Sequence, residues 1–322
     1  MLTFVARRIV FSIPVLLIAS VLVFFFVRET TDPLARLRAG TKDPTTLVRE
    51  KHRLGLDKPL PTQYTHWLKD FVQLKWGTSF VTNRSVAADM KSRFWNTVQL
   101  IFWGILLSGI TAIAIGVYSA ARQYSALDYT FTGLSFVGLS MPPFWFALMA
   151  IQFLVFAPKN WLHLQNPIFY SVGIHSAANA GAVDYARHLA LPVLVLSVQL
   201  IAGWSRYQRA SMLDVMSADY IRTARAKGVS RRAVLFKHAL RNALIPLVTV
   251  MAIDIGALFG GLIITETIFA WPGMGQFFVT AITNGDTNVI LPWLMVVATF
   301  IIGFNLFADV LYGALDPRIR MA

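Results

Sequence analysis

The chain has 322 residues, of which 56% are hydrophobic and only 14% are charged. Soluble domains carry about 25% charged residues, so this composition excludes an ordinary soluble protein and predicts an all-α integral membrane protein. The formal net charge is +13, which raises the question of where the basic residues lie. No cysteine is present, and this excludes disulfides, thiolate metal sites and cysteine nucleophiles.

Six apolar stretches are long enough to cross a bilayer as helices, which takes about 20 residues each. The predicted spans lie at about 9–27, 97–120, 129–157, 189–208, 244–268 and 290–313. The first follows Arg7 and Arg8, as the apolar region of a secretory signal would. It is too long for that region, and Phe25–Glu29 offers no small-residue cleavage site, so it is predicted to be a retained span.

The basic residues are distributed unevenly over the connecting segments. If the N-terminus is cytoplasmic, the inside segments hold fourteen Lys and Arg residues, and nine of these lie between Arg206 and Arg241. The two short outside loops, 158–188 and 269–289, hold only Lys159 and Arg187. Since cytoplasmic loops are enriched in Lys and Arg, the sequence predicts a multi-pass protein of the inner (plasma) membrane with both termini in the cytoplasm.

Three parts are predicted along the chain. They are an N-terminal transmembrane helix (1–28), an extracytoplasmic segment (29–96) and a five-helix core (97–322) with a cytoplasmic loop at about 209–241. The segment 29–96 is too long and polar for a simple connector. Two short helices are predicted within it, Thr45–Leu54 and Gln63–Leu74, the second because its aromatic residues recur at helical spacing. The segment is either a cap over the mouth of the spans or a contact surface for a substrate-delivery protein.

The third span is interrupted by the run Ser140-Met141-Pro142-Pro143. Two adjacent prolines remove two backbone donors and clash with the preceding turn, so the helix must kink or break there. A broken helix in a bilayer is tolerated where it is buried in protein or lines a cavity. Both a wall of a translocation path and a purely packing kink remain open for this site.

Two acidic residues fall in the fifth span. Asp254 lies near its middle and Glu266 lies toward its outer end. An acid within a membrane span is by default a functional-site hypothesis, because burying it is costly. The alternatives are an Asp254 that is hydrogen-bonded to a neighbouring helix and a Glu266 that is simply interfacial.

The basic region between Arg206 and Arg241 has the start and stop signals of two short helices. Tyr220–Lys227 consists of good helix formers, and Gly228 suits the residue after a helix C-terminus, where φ is positive. Ser230 can then cap a second helix, 231–241. A solvated basic loop explains the charge but not these signals. A DNA-binding helix-turn-helix is disfavoured because both helices are tied to membrane spans, so docking to a partner protein is favoured and no nucleic acid is expected.

This region resembles the loop through which ABC-importer permeases dock onto their ATPase subunits. Arg222-Thr223-Ala224 followed by Gly228 is similar to the "EAA…G" pattern, although Arg222 stands where the namesake glutamate would be. The run TARAKG followed by HALRNALIP resembles the oligopeptide/dipeptide/nickel permease family in particular. Further similar patches are Arg53–Pro61 with Gln63 and Tyr64, Ser140–Pro142 with Phe144 and Trp145, Glu266–Thr267 with Trp271–Gly275, and Leu315–Arg320. Asp254 departs from the family pattern, in which a neutral polar residue is expected.

The resemblance implies a type I ABC-importer permease fold with six transmembrane helices and, from the long segment after the first span, the first ("B") permease of a peptide importer. Implied partners are a homologous second permease, two ATPase subunits, an extracytoplasmic solute-binding protein, the lipid bilayer and a peptide cargo. The implied ATPase-coupling residues are Tyr220, Ile221, Arg222, Thr223, Ala224, Arg225, Ala226, Lys227 and Gly228. A translocation path is expected to include Ser140, Met141, Pro142, Asp254 and Glu266. Contacts with the binding protein are expected at Trp271, Met274, Gln276 and Phe277.

The chain is not expected to be an enzyme or to bind a cofactor. It contains no GxxxxGK[ST] loop, so ATP and Mg²⁺ are expected on the partner ATPases. The six histidines show no ligand spacing on one helix and there is no HExxH motif, so no metal or catalytic site is predicted. A nickel chelate, haem or glutathione remain alternative cargoes. An ATP-independent channel or secondary transporter, with Asp254 as a proton or cation site, remains the alternative mechanism.

Overall fold

The computed structural model describes residues 2–34, 38, 44–177 and 181–315. Regular structure in this part of the chain is helical. The helices are α1 (Leu2–Thr30), α2 (Pro44–Arg53), α3 (Leu60–Val72), α4 (Val86–Ala121), α5 (Ala126–Ser140), α6 (Pro143–Ile151), α7 (Ala182–Ser217), α8 (Asp219–Ala226), α9 (Leu240–Gly261), α10 (Ile263–Ile268), α11 (Met274–Thr283) and α12 (Thr287–Leu315). Two π-helical segments extend this set: Gln152–Phe156 joins α6 to the short helix Ala157–Trp161, and Val234–Ala239 joins the turn Arg231–Ala233 to α9. The predicted family match at Leu315–Arg320 and the cytoplasmic Arg318 and Arg320 lie outside the described residues, except for Leu315.

Among the described residues, five helices are long and apolar enough to cross a membrane, namely α1, α4, α7, α9 and α12. A sixth span results if α5 and α6 are counted together, although they meet at an angle of 105°. The prediction of an all-α membrane protein is therefore confirmed. The predicted break at the proline pair is also confirmed, since α5 ends at Ser140 and α6 begins at Pro143.

Helices α4 and α7 are longer than the spans predicted for them. Each has 36 residues, about 54 Å at 1.5 Å per residue, which exceeds the roughly 30 Å hydrocarbon core. As a result, the predicted boundary at residues 96 and 97 falls inside α4. Likewise, the predicted start of the basic loop at residue 209 falls inside α7. Both helices therefore extend past the hydrocarbon region into the segments beyond it.

The centre of the bundle is the pair α4 and α7, with α9 packed against α7 and α12 packed against α9 and α1. Glycines allow the close approach of α4 to α7. A Cβ added at Gly104 would lie 2.5 Å from a methyl group of Leu196, and one at Gly116 would lie 2.6 Å from Cβ of Gln208. Small residues at such positions let helices pack tightly in lipid, where apolar surface alone gives little drive for association.

The connection between α1 and α4 folds back onto α1. Both short helices predicted there are confirmed, as α2 and α3. The α3 side chains Tyr64 and Trp67 pack against the buried ring of Phe24 in α1, and the Tyr64 hydroxyl hydrogen-bonds the Ser20 hydroxyl at 2.8 Å. Amphipathic α3 therefore lies along α1 and closes one end of the bundle.

Candidate functional site

At the opposite end of the bundle, residues 218–239 form a compact structure that we call the basic hairpin. Its helix α8 is fixed by one side chain, Ile221, which has no exposed surface. Ile221 belongs to a buried apolar cluster with residues of α4, α7 and α9, among them Val117, Met212 and Ala243. Helix α8 packs against the end of α7 and against the π-helical segment that leads into α9, so movement of α8 is expected to move these parts.

The end of α8 is a glycine cap of the Schellman type. The Gly228 amide donates to the Arg225 carbonyl at 3.0 Å, and the Val229 amide donates to the Ala224 carbonyl at 3.2 Å. Gly228 has φ +80°, which a residue with a Cβ rarely adopts. Ser230 then accepts the Ala233 amide through its side chain. These contacts confirm both predicted caps of the hairpin.

The nine residues predicted to dock differ in their exposure. Seven are exposed: Tyr220, Arg222, Thr223, Arg225, Ala226, Lys227 and Gly228. Ala224 is half-buried, and Ile221 is the exception, because its side chain lies wholly inside the chain's own core. Ile221 therefore anchors the helix and offers no surface to a partner in this conformation.

The exposed face of α8 is cationic. The Arg222 guanidinium is 3.7 Å from the Asp219 carboxylate, but both side chains are largely in solvent. An exposed pair of this kind contributes little stability and is readily exchanged for another partner. A cavity of about 360 Å³ opens beside this face, with Arg225 and Arg231 at its edge and Met216, Val234 and Leu235 in its wall. The hairpin therefore presents basic groups around an apolar recess.

The break between α5 and α6 exposes part of the predicted path. Ser140 turns its hydroxyl back to the Phe136 carbonyl at 2.8 Å, and Met141 takes an extended conformation that ends α5. The Gln199 amide of α7 donates to the freed Met141 carbonyl at 3.4 Å. Ser140 and Pro142 are exposed on the surface of this chain, and Met141 is half-buried.

Asp254 in α9 accepts a hydrogen bond from the indole nitrogen of Trp204 in α7, at 2.7 Å. Trp204 is buried and Asp254 is half-buried. A hydrogen bond to a neighbouring helix is the predicted alternative to a functional role for Asp254, and this contact is such a bond. The carboxylate also keeps some accessible surface, so the geometry leaves it available to a solute as well.

Glu266 does not line an open path. Its side chain is completely buried, and its two carboxylate oxygens accept from the Thr97 hydroxyl at 2.6 Å and from the amides of Gly275 and Gln276 at 2.6 and 3.1 Å. These amides are at the N-terminus of α11, where a carboxylate satisfies donors that the helix leaves free. The prediction for Glu266 is corrected here: the residue joins α4, α10 and α11.

Three of the four predicted binding-protein contacts are also interior residues. Trp271, Met274 and Phe277 are buried, because α11 packs into the end of the bundle. The Trp271 indole donates to the Asn96 carbonyl at 3.0 Å. Gln276, the fourth, is half-buried and accepts from Arg93 at 3.0 Å. In this conformation the first three side chains have too little exposed surface to contact a separate protein, so their predicted role is corrected to internal packing.

One buried ion pair was not predicted from the sequence. Arg209 of α7 forms two hydrogen bonds of 2.8 Å with Asp128 at the start of α5, and Asp128 is almost fully buried. Such two-pronged pairs fix orientation as well as distance. The acid in the first turn of α5 gave a signal for a helix start, but nothing local indicated its partner in α7. The pair ties the broken helix to the core beside the basic hairpin.

Comparison with known proteins agrees with this architecture. Residues 112–321 match the family described as binding-protein-dependent transport system inner membrane component, and residues 1–101 match the N-terminal family of the same systems. The oligopeptide transport system permease protein AppB of Bacillus subtilis is 37% identical, with 99% of this chain and 100% of AppB covered.

Two further relatives are named for different cargoes. The di/tripeptide transport system permease protein DppB of Pseudomonas aeruginosa is 36% identical, and the glutathione transport system permease protein GsiC of Salmonella choleraesuis is 37% identical. In each case 99% of both chains is covered. The chain therefore belongs to the family of binding-protein-dependent transport system inner membrane components.

Proposed function

We propose that this chain is the first of two permease subunits in an ABC importer that takes up peptides. A homologous second permease completes the path, a solute-binding protein delivers the peptide, and two ATPase subunits supply the work. The observation that carries the proposal is the basic hairpin, whose exposed cationic helix is anchored by Ile221 in a buried cluster with residues of α4, α7 and α9. Family membership and the relatives' names support the peptide cargo.

The hairpin acts as the mechanical link. Its cationic face, with Arg222, Arg225 and Lys227, meets acidic or carbonyl groups in a groove of an ATPase subunit, and the recess beside Arg225 receives an apolar side chain. When the ATPases close, α8 moves as a unit because its buried anchor resists sliding. The ends of α4, α7 and α9 follow, and these helices transmit the motion through the membrane.

The broken helix and Asp254 form part of the path wall. Ser140 and Pro142 are exposed at the break, and the half-buried Asp254 lies on α9, which also packs against α7. A peptide brings a cationic N-terminus and backbone donors, both of which a carboxylate can bind. The end of the bundle with α2, α3 and α11 faces outward, and the basic hairpin faces the cytoplasm.

The proposal is tested by substituting Gly228 with valine in the reconstituted complex. A Cβ at Gly228 meets no atom within 4 Å, so the variant folds, but the φ of +80° strains it and displaces the exposed end of α8. We expect loss of the ATP hydrolysis that the binding protein and peptide stimulate, and loss of peptide uptake, with membrane insertion intact.

Gly173 provides a matched control, since its φ is +79° and a Cβ there also meets nothing within 4 Å. Gly173→Val introduces the same strain in the connection between α6 and α7, at the opposite end of the bundle. It should leave stimulated hydrolysis near the parent level. Normal stimulated hydrolysis in Gly228→Val would contradict the coupling role. Competition between labelled tripeptide and glutathione for uptake distinguishes the cargo named for DppB from that named for GsiC.

A further inference from the structure

A basic cavity of about 380 Å³ lies at the end of the bundle that carries α2 and α3. It is bordered by the last turn of α1, the end of α2, one side of α3 and the first turns of α12. Since α1 and α12 are both candidate membrane spans, the cavity lies level with the edge of the hydrocarbon region. It is distinct from the basic hairpin and from the break between α5 and α6.

Charge in this cavity is unbalanced. Arg28, Arg53, Lys58 and Lys75 line it, against a single acid, Asp70, among the described lining residues. Arg53 is offset by Glu50 at 2.7 Å. The salt bridges of the described residues include none to Arg28, Lys58 or Lys75. The cavity therefore has an excess of positive charge, and Asp70 is the one acid among its described lining residues.

Among the basic residues of this cavity, Arg28 has the clearest unmet need for a partner. Its Nε atom is buried and has no hydrogen-bond partner in the described structure. The neighbour of its guanidinium is the Phe24 ring, 5.4 Å away. A buried N–H donor without an acceptor is costly, so an anion from outside the chain that accepts from this Nε atom would be favoured here.

The same cavity also holds an unpaired acceptor. Gln63 lines it, and its side-chain oxygen is buried without a donor, while its nitrogen is already used on the Lys58 carbonyl at 2.8 Å. A complete ligand must therefore accept from Arg28 and donate to Gln63. Trp67, Trp76 and Leu291 supply apolar walls. A phospholipid with a hydroxylated head group meets all three requirements: its phosphodiester accepts from Arg28, its hydroxyl donates to Gln63, and its glycerol backbone packs on the apolar walls.

We propose that this cavity binds the head group of an anionic phospholipid of the phosphatidylglycerol type. The phosphodiester is held by Arg28 with Lys58 and Lys75, a head-group hydroxyl donates to Gln63, and the glycerol backbone lies against the aromatic wall. An acidic side chain of a partner protein would satisfy Arg28, but it has no hydroxyl for Gln63. The bound lipid fixes α3 to α1 and α12 and so stabilises this end of the bundle.

The test uses the full chain, purified in detergent and stripped of lipid. Native mass spectrometry counts retained phosphatidylglycerol and phosphatidylcholine over a titration of each lipid. We expect selective retention of phosphatidylglycerol. Each basic residue near a membrane surface strengthens anionic-lipid binding by about fivefold, so Lys58→Gln/Lys75→Gln should raise the lipid concentration at half-saturation by about 30-fold. Arg28→Gln should abolish the selectivity.

Lys69→Gln is the matched control, because Lys69 is an exposed residue of α3 that does not line the cavity. It should bind phosphatidylglycerol like the parent chain. Should Arg28→Gln fail to fold, the Lys58→Gln/Lys75→Gln variant still tests the proposal, since both lysines are exposed.

Equal retention of the two lipids, or unchanged selectivity in the double lysine variant, overturns the proposal. So does displacement of the lipid by glycerol 3-phosphate at equal concentration, which would assign the cavity to a soluble phosphate. If the Lys58→Gln/Lys75→Gln variant bound the solute-binding protein more weakly but kept its lipid selectivity, the cavity would be assigned to a protein partner instead.

Discussion

Glu266 shows how a single side chain can hold a loop in place at the end of a membrane bundle. Its carboxylate occupies the space that a Cβ on residue 273 would need, so glycine at this position allows the loop to pass. The same carboxylate caps α11 and bonds Thr97 of α4. A charged or polar residue near the end of a span can therefore serve packing alone, although its type suggests function.

Substitution of Glu266 with glutamine tests this role. The amide nitrogen of the variant is a donor and faces one of the three groups that donate to the carboxylate, so at least one buried donor loses its acceptor. Such a loss costs about 1–3 kcal/mol. We expect a lower midpoint of thermal unfolding for the purified chain and faster proteolysis in the connection between α10 and α11.

Glu29→Gln makes the same chemical change at an exposed residue of α1 and should leave the midpoint unchanged. An unchanged midpoint in Glu266→Gln as well would show that the three hydrogen bonds add no net stability.

Asp254 is the counterpart within the membrane. Its hydrogen bond to Trp204 satisfies one oxygen, and because the residue stays half-buried the other lone pairs need water, a solute or another chain. The contact with Trp204 is the one that the structural prediction for this residue requires. A role of Asp254 in the translocation path stays a prediction.

At the scale of elements, local chemistry was a good guide to where helices begin and end. The proline pair predicted the break after Ser140, and Gly228 and Ser230 predicted the two caps of the hairpin, because each acts on its own backbone. Burial of Trp271 and Phe277 could not be predicted in this way. Their burial depends on packing against α4 and α12, which are distant in sequence. From sequence alone, an aromatic residue in an outer loop could equally be a contact for a partner protein or part of the core.

The hairpin itself makes a testable element. Ile221→Ala removes the one fully buried side chain of α8, and loss of a buried isoleucine costs about 2–5 kcal/mol where the site cannot collapse. Because the rest of α8 is exposed apart from the half-buried Ala224, we expect α8 to detach locally while the bundle stays folded. Hydrogen exchange of the amides of residues 219–226 should become faster, and those of α4 and α7 should not change.

Arg222→Ala is the control on the same helix. Its side chain is largely in solvent, so α8 should keep its slow exchange, while stimulated ATP hydrolysis in the complex falls through lost contact with the ATPase. If Ile221→Ala left exchange in α8 unchanged, the anchor would have to lie elsewhere in the hairpin.

For the whole molecule, the two ends of the bundle differ in construction. One end, with α2, α3 and α11, is closed by aromatic packing and by the buried Glu266 network. The other carries the basic hairpin, which exposes nearly all of its charged groups. Among the short connecting segments, those at the hairpin end are the richer in Lys and Arg, which the positive-inside rule associates with the cytoplasm. The closed end is therefore predicted to face outward.

This orientation can be measured directly, because the chain has no cysteine of its own. Lys69→Cys places a single thiol on α3, and Lys227→Cys places one on the basic hairpin; both residues are exposed. In intact cells that express the chain without its ATPase subunits, a membrane-impermeant maleimide should label the first and not the second. After permeabilisation of these cells both should react, because neither site is shielded by the chain itself. Labelling of Lys227→Cys in intact cells would show the opposite orientation, in which the basic hairpin could not reach a cytoplasmic ATPase.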